Sequence, residues 1–153
     1  VVPAFAGLGA PYWDPDARGA ILGLTRGSSR DDVVTATLQS VAFQTRDLLD
    51  AMAEDGVRPS VIRVDGGMVA NDWFLQFLAD VLATPVERPV NVESTVLGAA
   101  YLAGYQAGIV ESLSGIGDLW QCSARFEPAM EAARRDQLLA GWRDAVGRVR
   151  TDR

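Results

Sequence analysis

Lysine and histidine are absent from these 153 residues, and all fourteen basic side chains are arginine. Without lysine there is no Schiff-base chemistry and no ammonium to grip a phosphate in a P-loop. Without histidine, Ser-His-Asp and Cys-His centres and His-ligated zinc sites are excluded within the chain. One cysteine, Cys122, permits no intrachain disulfide. It fits a reducing cytoplasm and reads as a free structural thiol. No apolar run approaches the roughly 20 residues that span a bilayer, and no signal peptide is visible. The net charge of −6 disfavours a nucleic-acid groove or an anionic membrane surface as partner. What remains is ordinary: 48% apolar, 22% charged, and long enough for one domain with a real core. The chain starts at Val1-Val2-Pro3 rather than at Met and reads as part of a longer protein.

The most informative stretch is residues 61–71. Val61 to Val64 is a short apolar run with the pattern of a buried strand. It stops at Asp65-Gly66-Gly67, where two residues without Cβ let the backbone turn sharply and approach a ligand face. Asn71 is a good N-cap for the amphipathic stretch Trp73 to Leu82, in which Phe74, Phe77, Leu78, Val81 and Leu82 share one face. A flat heterocycle could lie on that peptide with amides and the Asn71 side chain at its rim. A tight strand-to-helix turn that binds nothing has the same pattern.

Around this motif, residues 1–19 form an ordered loop, since a linker would not carry Phe5, Tyr12 and Trp13. Ala20 to Leu24 suits a short strand. Ser28-Ser29-Arg30-Asp31-Asp32 starts a helix that runs to about Glu54, burying Val34, Leu38, Val41, Leu48 and Met52 and ending near Gly56. Pro85 to Pro89 holds only a very short strand. A small-residue helix follows from Glu93-Ser94-Thr95 through Gly98, Ala99, Ala100 and Ala103 to Gly104. Such a surface suits either tight packing in one core or a hinge where helices slide over each other. Residues 109–127 read as loop and turns, and a last helix over about 129–150 buries Leu138, Trp142, Ala145 and Val149 with its arginines solvated. The alternation argues an α/β layer of helices on a short, mostly parallel sheet, yet three short strands are few, so the first strands of the sheet are expected to lie elsewhere.

With both motifs in hand, nearly the whole chain resembles the C-terminal part of glycerol kinases, in the carbohydrate-kinase family that shares its ribonuclease-H-like fold with actin, hexokinase and Hsp70. The densest matches are Pro3-Ala4-Phe5 with Gly7 to Pro15, Arg18 to Ile21 with Gly23 to Gly27, and Gln44-Thr45-Arg46-Asp47. Val64-Asp65-Gly66-Gly67 with Val69-Ala70-Asn71, and Leu97 to Gly104, complete them. Met68 stands where Ala is commoner, and Ala6 where Thr or Ser is. The resemblance implies transfer of the ATP γ-phosphoryl group to glycerol with Mg²⁺, in a cytoplasmic homo-oligomer, by a cleft between two such domains. Residues 1–153 would be the C-terminal portion of the second, nucleotide-binding domain. Carried over, Gly66 and Gly67 would lie against the nucleotide and Asn71 would contact adenine. Gly98, Ala99 and Gly104 would form the connecting helix at the hinge, and Asp65 would steady the turn.

The same comparison puts the phosphate loop, the glycerol-binding residues and the catalytic aspartate upstream. None of Asp14, Asp16 or Asp31 sits in a motif matching the family's base, so no catalytic residue and no metal ligand is expected here. Two other readings stay open: a kinase of the same family for another polyol or a pentulose, and a non-catalytic nucleotide-binding or interaction module.

Overall fold

Ser29 and Asp32 begin the first helix by capping each other. The Ser29 hydroxyl accepts from the Asp32 amide at 3.2 Å, and the Asp32 carboxylate accepts from the Ser29 amide at 2.8 Å. In the computed structural model, which describes residues 1–113, 117 and 120–151, helix α1 runs Arg30–Glu54. Its buried side is centred on Ser40, Ala42, Phe43 and Asp47. Val34 and Leu48, expected inside, are 52% and 43% exposed, while Leu38, Val41 and Met52 are half-buried. The 40–47 line lies one residue, about 100° of helix rotation, from the apolar 34–41–48 line. Apolar spacing alone is therefore only partly right: Leu38 and Val41 pack against the core, but the fully buried line includes two polar residues that are satisfied inside.

Strand β1 (Ile62–Arg63), a 3₁₀ turn (Gly67–Ala70) and helix α2 (Asp72–Leu82) follow. Next come β2 (Val86–Pro89), α3 (Ser94–Gln106), β3 (Cys122–Phe126) and α4 (Ala132–Val149). The sheet order is β1-β2-β3. β1 pairs parallel with β2, Ile62 opposite Val86, and β3 pairs antiparallel with β2, Val86 opposite Phe126. The expected strand at Ala20–Leu24 does not form. Ala20 makes an isolated bridge to Val2, and Ile21 and Leu24 are exposed. The third strand lies instead in the stretch read as loop. Its sequence, Cys-Ser-Ala-Arg-Phe, carries little apolar signal because only Ala124 and Phe126 are even half-buried. The rest of that loop reading falls partly on residues 114–116 and 118–119, outside the described residues.

Helix α2 is the centre of the core. Phe74, Leu75, Phe77, Leu78, Val81 and Leu82 are all buried. Phe43 of α1 meets Phe77 edge-on at 5.7 Å and stacks on Trp142 of α4 at 5.5 Å. Trp142 is buried as expected, with Leu139 and Val146, and Leu138, Ala145 and Val149 pack partly against them. Asp80 at the end of α2 accepts from the amides of Ala129 (2.7 Å) and Met130 (3.1 Å), fixing the approach to α4. Among the described residues no helix is long and apolar enough to cross a membrane.

The loop of residues 1–19 is ordered, with Val2, Ala4, Leu8 and Ala17 in the core. Two carboxylates clasp it to the rest. Asp47 accepts from the Tyr12 hydroxyl at 2.8 Å and from the Trp142 indole N–H at 2.6 Å. Burial pushes Asp47 up despite these donors, and pushes the Tyr12 phenol up as well. Asp14 accepts from the Thr151 amide (2.7 Å) and hydroxyl (2.8 Å), and from the amides of Ala17 (3.0 Å) and Asp16 (3.1 Å). These donors, Thr151 first, hold its carboxyl at about 2, below the ordinary 3.8.

A lowered carboxyl value means that the Asp14 clasp stabilises the fold fully above the unfolded value and loses this effect as pH falls from about 4 to about 2. Asp47, with its raised value, works in the opposite sense: its contribution declines as pH rises through its folded value. We expect the thermal midpoint of the complete protein to fall less steeply across that acid range in Asp14→Asn than in wild type. Parallel curves from pH-dependent thermal scans would refute the assignment.

Candidate functional site

β1 delivers the chain to the site. The Val64 amide still donates to Glu87 O at 3.1 Å; two residues on, the Gly66 amide donates to Val92 O at 2.9 Å. That second bond joins the segments that leave the C-terminal ends of two parallel strands, the edge where open α/β sheets hold ligands. Gly66 has φ +89° and ψ 176°, a region open in practice only to glycine. From Gly67 the backbone makes one 3₁₀ turn to Ala70, with Val69 buried as its anchor. Gly67, Met68, Ala70 and Asn71 face outward.

A Cβ built on either Gly66 or Gly67 would meet nothing within 4 Å. The space over this peptide is open, so neither glycine is required by internal packing. Gly66 is required by its backbone angles. Gly67 has no such constraint, and a side chain there would project into the open face. Asn71 caps α2 as expected, its Oδ1 accepting from the Phe74 amide at 3.1 Å. Its amide NH₂ is left at the exposed rim. Asp65, expected to steady the turn, does not: it is exposed, and its carboxylate accepts no hydrogen bond among the described residues. Backbone and side-chain donors elsewhere hold the turn instead.

One of those donors went unread in the sequence. Arg88 on β2 donates through Nη1 to Val69 O at 3.0 Å and to Asp72 Oδ1 at 2.6 Å. Its residue type alone carries no signal, because the contact spans 19 positions between separate elements.

The small-residue helix α3 starts two residues after Val92, so it leaves from the same end of the sheet as the turn. None of its residues is buried. A Cβ at Gly98 would meet nothing within 4 Å, and Ala99 is exposed. Gly104 differs. A Cβ there would come 3.1 Å from Val110, and its carbonyl accepts from the Ile109 amide at 2.8 Å and the Val110 amide at 3.2 Å. Its small size thus lets the chain fold back at the helix C-terminus. Asp14, with its bonds to Asp16, Ala17 and Thr151, has a structural task. Among the described residues no three Asp, Glu or Cys side chains converge as a metal site would need.

The profile of the FGGY family of carbohydrate kinases, C-terminal domain, matches residues 1–107. A glycerol kinase of Ectopseudomonas mendocina is 59% identical over 153 residues, which is 99% of this chain and 31% of that protein. Glycerol kinase 1 of Pseudomonas aeruginosa is 57% identical over 152 residues, again 99% of this chain and 31% of the relative. Among solved structures, a Plasmodium falciparum glycerol kinase with ADP is similar at TM-score 0.82 and 39% identity, over 97% of this chain and 30% of that one. A gluconate kinase from Lactobacillus acidophilus reaches 0.80 at 26% identity, over 99% of this chain and 31% of that one. The four helices and three strands are thus a portion of the actin-like fold of sugar kinases, and the chain spans about 31% of the length of its curated relatives. A profile of the family's C-terminal domain that takes in both the opening loop and the glycine turn, over residues 1–107, leaves one conclusion: the chain belongs to the FGGY family of carbohydrate kinases.

Proposed function

We propose that these residues form the adenine-binding portion of an ATP-dependent glycerol kinase, within its second domain. The observation that carries the reading is the open peptide face at Gly66-Gly67, bordered by the free amide of Asn71. Bound there, ATP supplies the γ-phosphoryl group that a glycerol hydroxyl receives. The protein's part at this end is to hold the purine: Gly67 offers a flat face, and the Asn71 NH₂ donates to a ring nitrogen while its oxygen stays on the helix cap. Glycerol is favoured over other acceptors because identity to glycerol kinases is 59% and 57%, against 26% and 28% to gluconate and xylulose kinases of Lactobacillus acidophilus. Among the described residues no three Asp, Glu or Cys side chains converge, and Mg²⁺ in such sites is held largely by waters and the substrate's phosphates. Use of ATP and the single thiol of Cys122 suit the cytoplasm.

Phosphoryl transfer depends on positioning and electrostatics around the phosphates. The 153 residues alone should therefore show no glycerol-dependent ADP production. Activity above a no-enzyme blank, in a preparation free of host kinase, would overturn that expectation.

Asn71 allows a sharper test of the adenine reading. Asn71→Asp keeps an oxygen for the Phe74 amide but removes the NH₂ donor, so the ATP KM should rise several-fold, about 1 kcal/mol, with thermal stability unchanged. Asn71→Ala loses cap and donor together and should cost about 1 kcal/mol of stability besides. An unchanged ATP KM in Asn71→Asp would remove the side chain from the nucleotide site.

A further inference from the structure

We propose that Arg88 is a positioning residue for the nucleotide: it locks the Gly67–Ala70 turn to the sheet and so holds Gly67 and Asn71 at the spacing the purine requires. This rests on the reading that the nucleotide lies on that turn.

A single 3₁₀ turn has poor internal hydrogen bonding and keeps its shape only when held from outside. Here it is held on both flanks. The Gly66–Val92 backbone bond fixes its start. Arg88 fixes its end, because the carbonyl it reaches, Val69 O, lies between the two ligand-facing positions 67 and 71. Arg88 is itself anchored. It sits opposite Ala124 in the β2–β3 ladder, its guanidinium lies 5.8 Å from the centre of the Phe126 ring, and its side chain is only 20% exposed.

The two acceptors are not equivalent. Asp72 is 71% exposed, and an ion pair in that setting contributes little. The bond to Val69 O ties the turn itself, and its loss would leave the turn free to shift relative to β2. Both bonds come from one nitrogen, Nη1, so the fork of the guanidinium is not what matters here. An ammonium with three donors can make both.

The test is steady-state kinetics and ATP binding on the complete protein, with thermal midpoints measured in parallel. Arg88→Met keeps the stem over Phe126 and removes both bonds. It should raise the ATP KM about fivefold, with kcat and the glycerol KM unchanged. Arg88→Lys should restore the ATP KM. Asp72→Ala, a surface change that leaves the Val69 bond, should have no effect on it.

An ATP KM unchanged in Arg88→Met, while Gly67→Val raises it, would overturn the proposal and leave the nucleotide reading standing. A parallel rise in both KM values with a falling thermal midpoint would show a general structural role and overturn it too. A rise in Asp72→Ala as large as in Arg88→Met would move the effect to the ion pair, against the proposal. If Gly67→Val is also silent, the nucleotide is not on this turn and both readings fall together.

Discussion

Replacing Gly67 by valine in the complete protein raises the KM for ATP by about tenfold or more and leaves that for glycerol unchanged. The turn itself tolerates the side chain: nothing lies within 4 Å of the added Cβ, and Gly67 is not in the left-handed region. A branched side chain with one favoured rotamer would therefore occupy the open face where the purine is to lie. Gly66→Ala is the contrasting variant. Its methyl group also meets open space, but φ +89° with ψ 176° costs a non-glycine residue roughly 1–3 kcal/mol. The peptide would relieve that strain by rotating, at the expense of the Gly66–Val92 bond. Gly66→Ala should thus lower the thermal midpoint as well as ATP affinity, whereas Gly67→Val should lower affinity alone. Kinetics at saturating glycerol, with thermal scans beside them, separate the two. An unchanged ATP KM in Gly67→Val would mean that the nucleotide is held elsewhere.

The second large effect concerns the 153 residues expressed alone, which should self-associate. Helix α3 is apolar around its whole circumference yet has no buried residue: Val96 is 64%, Leu102 59% and Tyr105 46% exposed. A helix of that character belongs inside a larger body. Val96 and Leu102 lie on different sides of it, so no rotation hides both. Among the described residues, strand β1 adds an unpaired edge, two residues long, on the side away from β2. Light scattering should give a mass above the monomer, and Val96→Glu with Leu102→Glu should shift it toward the monomer. A clean monomer with cooperative unfolding in the unmodified chain would show that these faces are tolerated in water.

Local signals are legible in the sequence. The start signal at Ser28-Ser29 yields a cap at Ser29, Asn71 caps α2 as expected, and the apolar face of α2 is the buried one, because caps and helical period depend only on near neighbours. Interactions between distant segments were not legible. The buried side of α1 is set by Asp47, whose partners Tyr12 and Trp142 are 35 and 95 residues away. Strand β3 exists because β2 offers it an edge, and its own side chains barely report it. At the site, the paired glycines were visible as a turn. That one serves the backbone and the other serves open space was not, since this depends on dihedral angles. Arg88 escaped for the same reason as Asp47.

The clasp between Asp14 and Thr151 sets a timetable for synthesis. A ribosome adds about 5–20 residues each second, so the 137 positions separating the two take on the order of ten seconds to make. Until then Asp14 has only the amides of Asp16 and Ala17, and Tyr12 waits almost as long for the indole that shares its carboxylate. Of these 153 residues, the segment made earliest is therefore among the last to be locked in place. During that interval the segment that carries buried Val2 and Leu8 lacks its bonds to the C-terminal end.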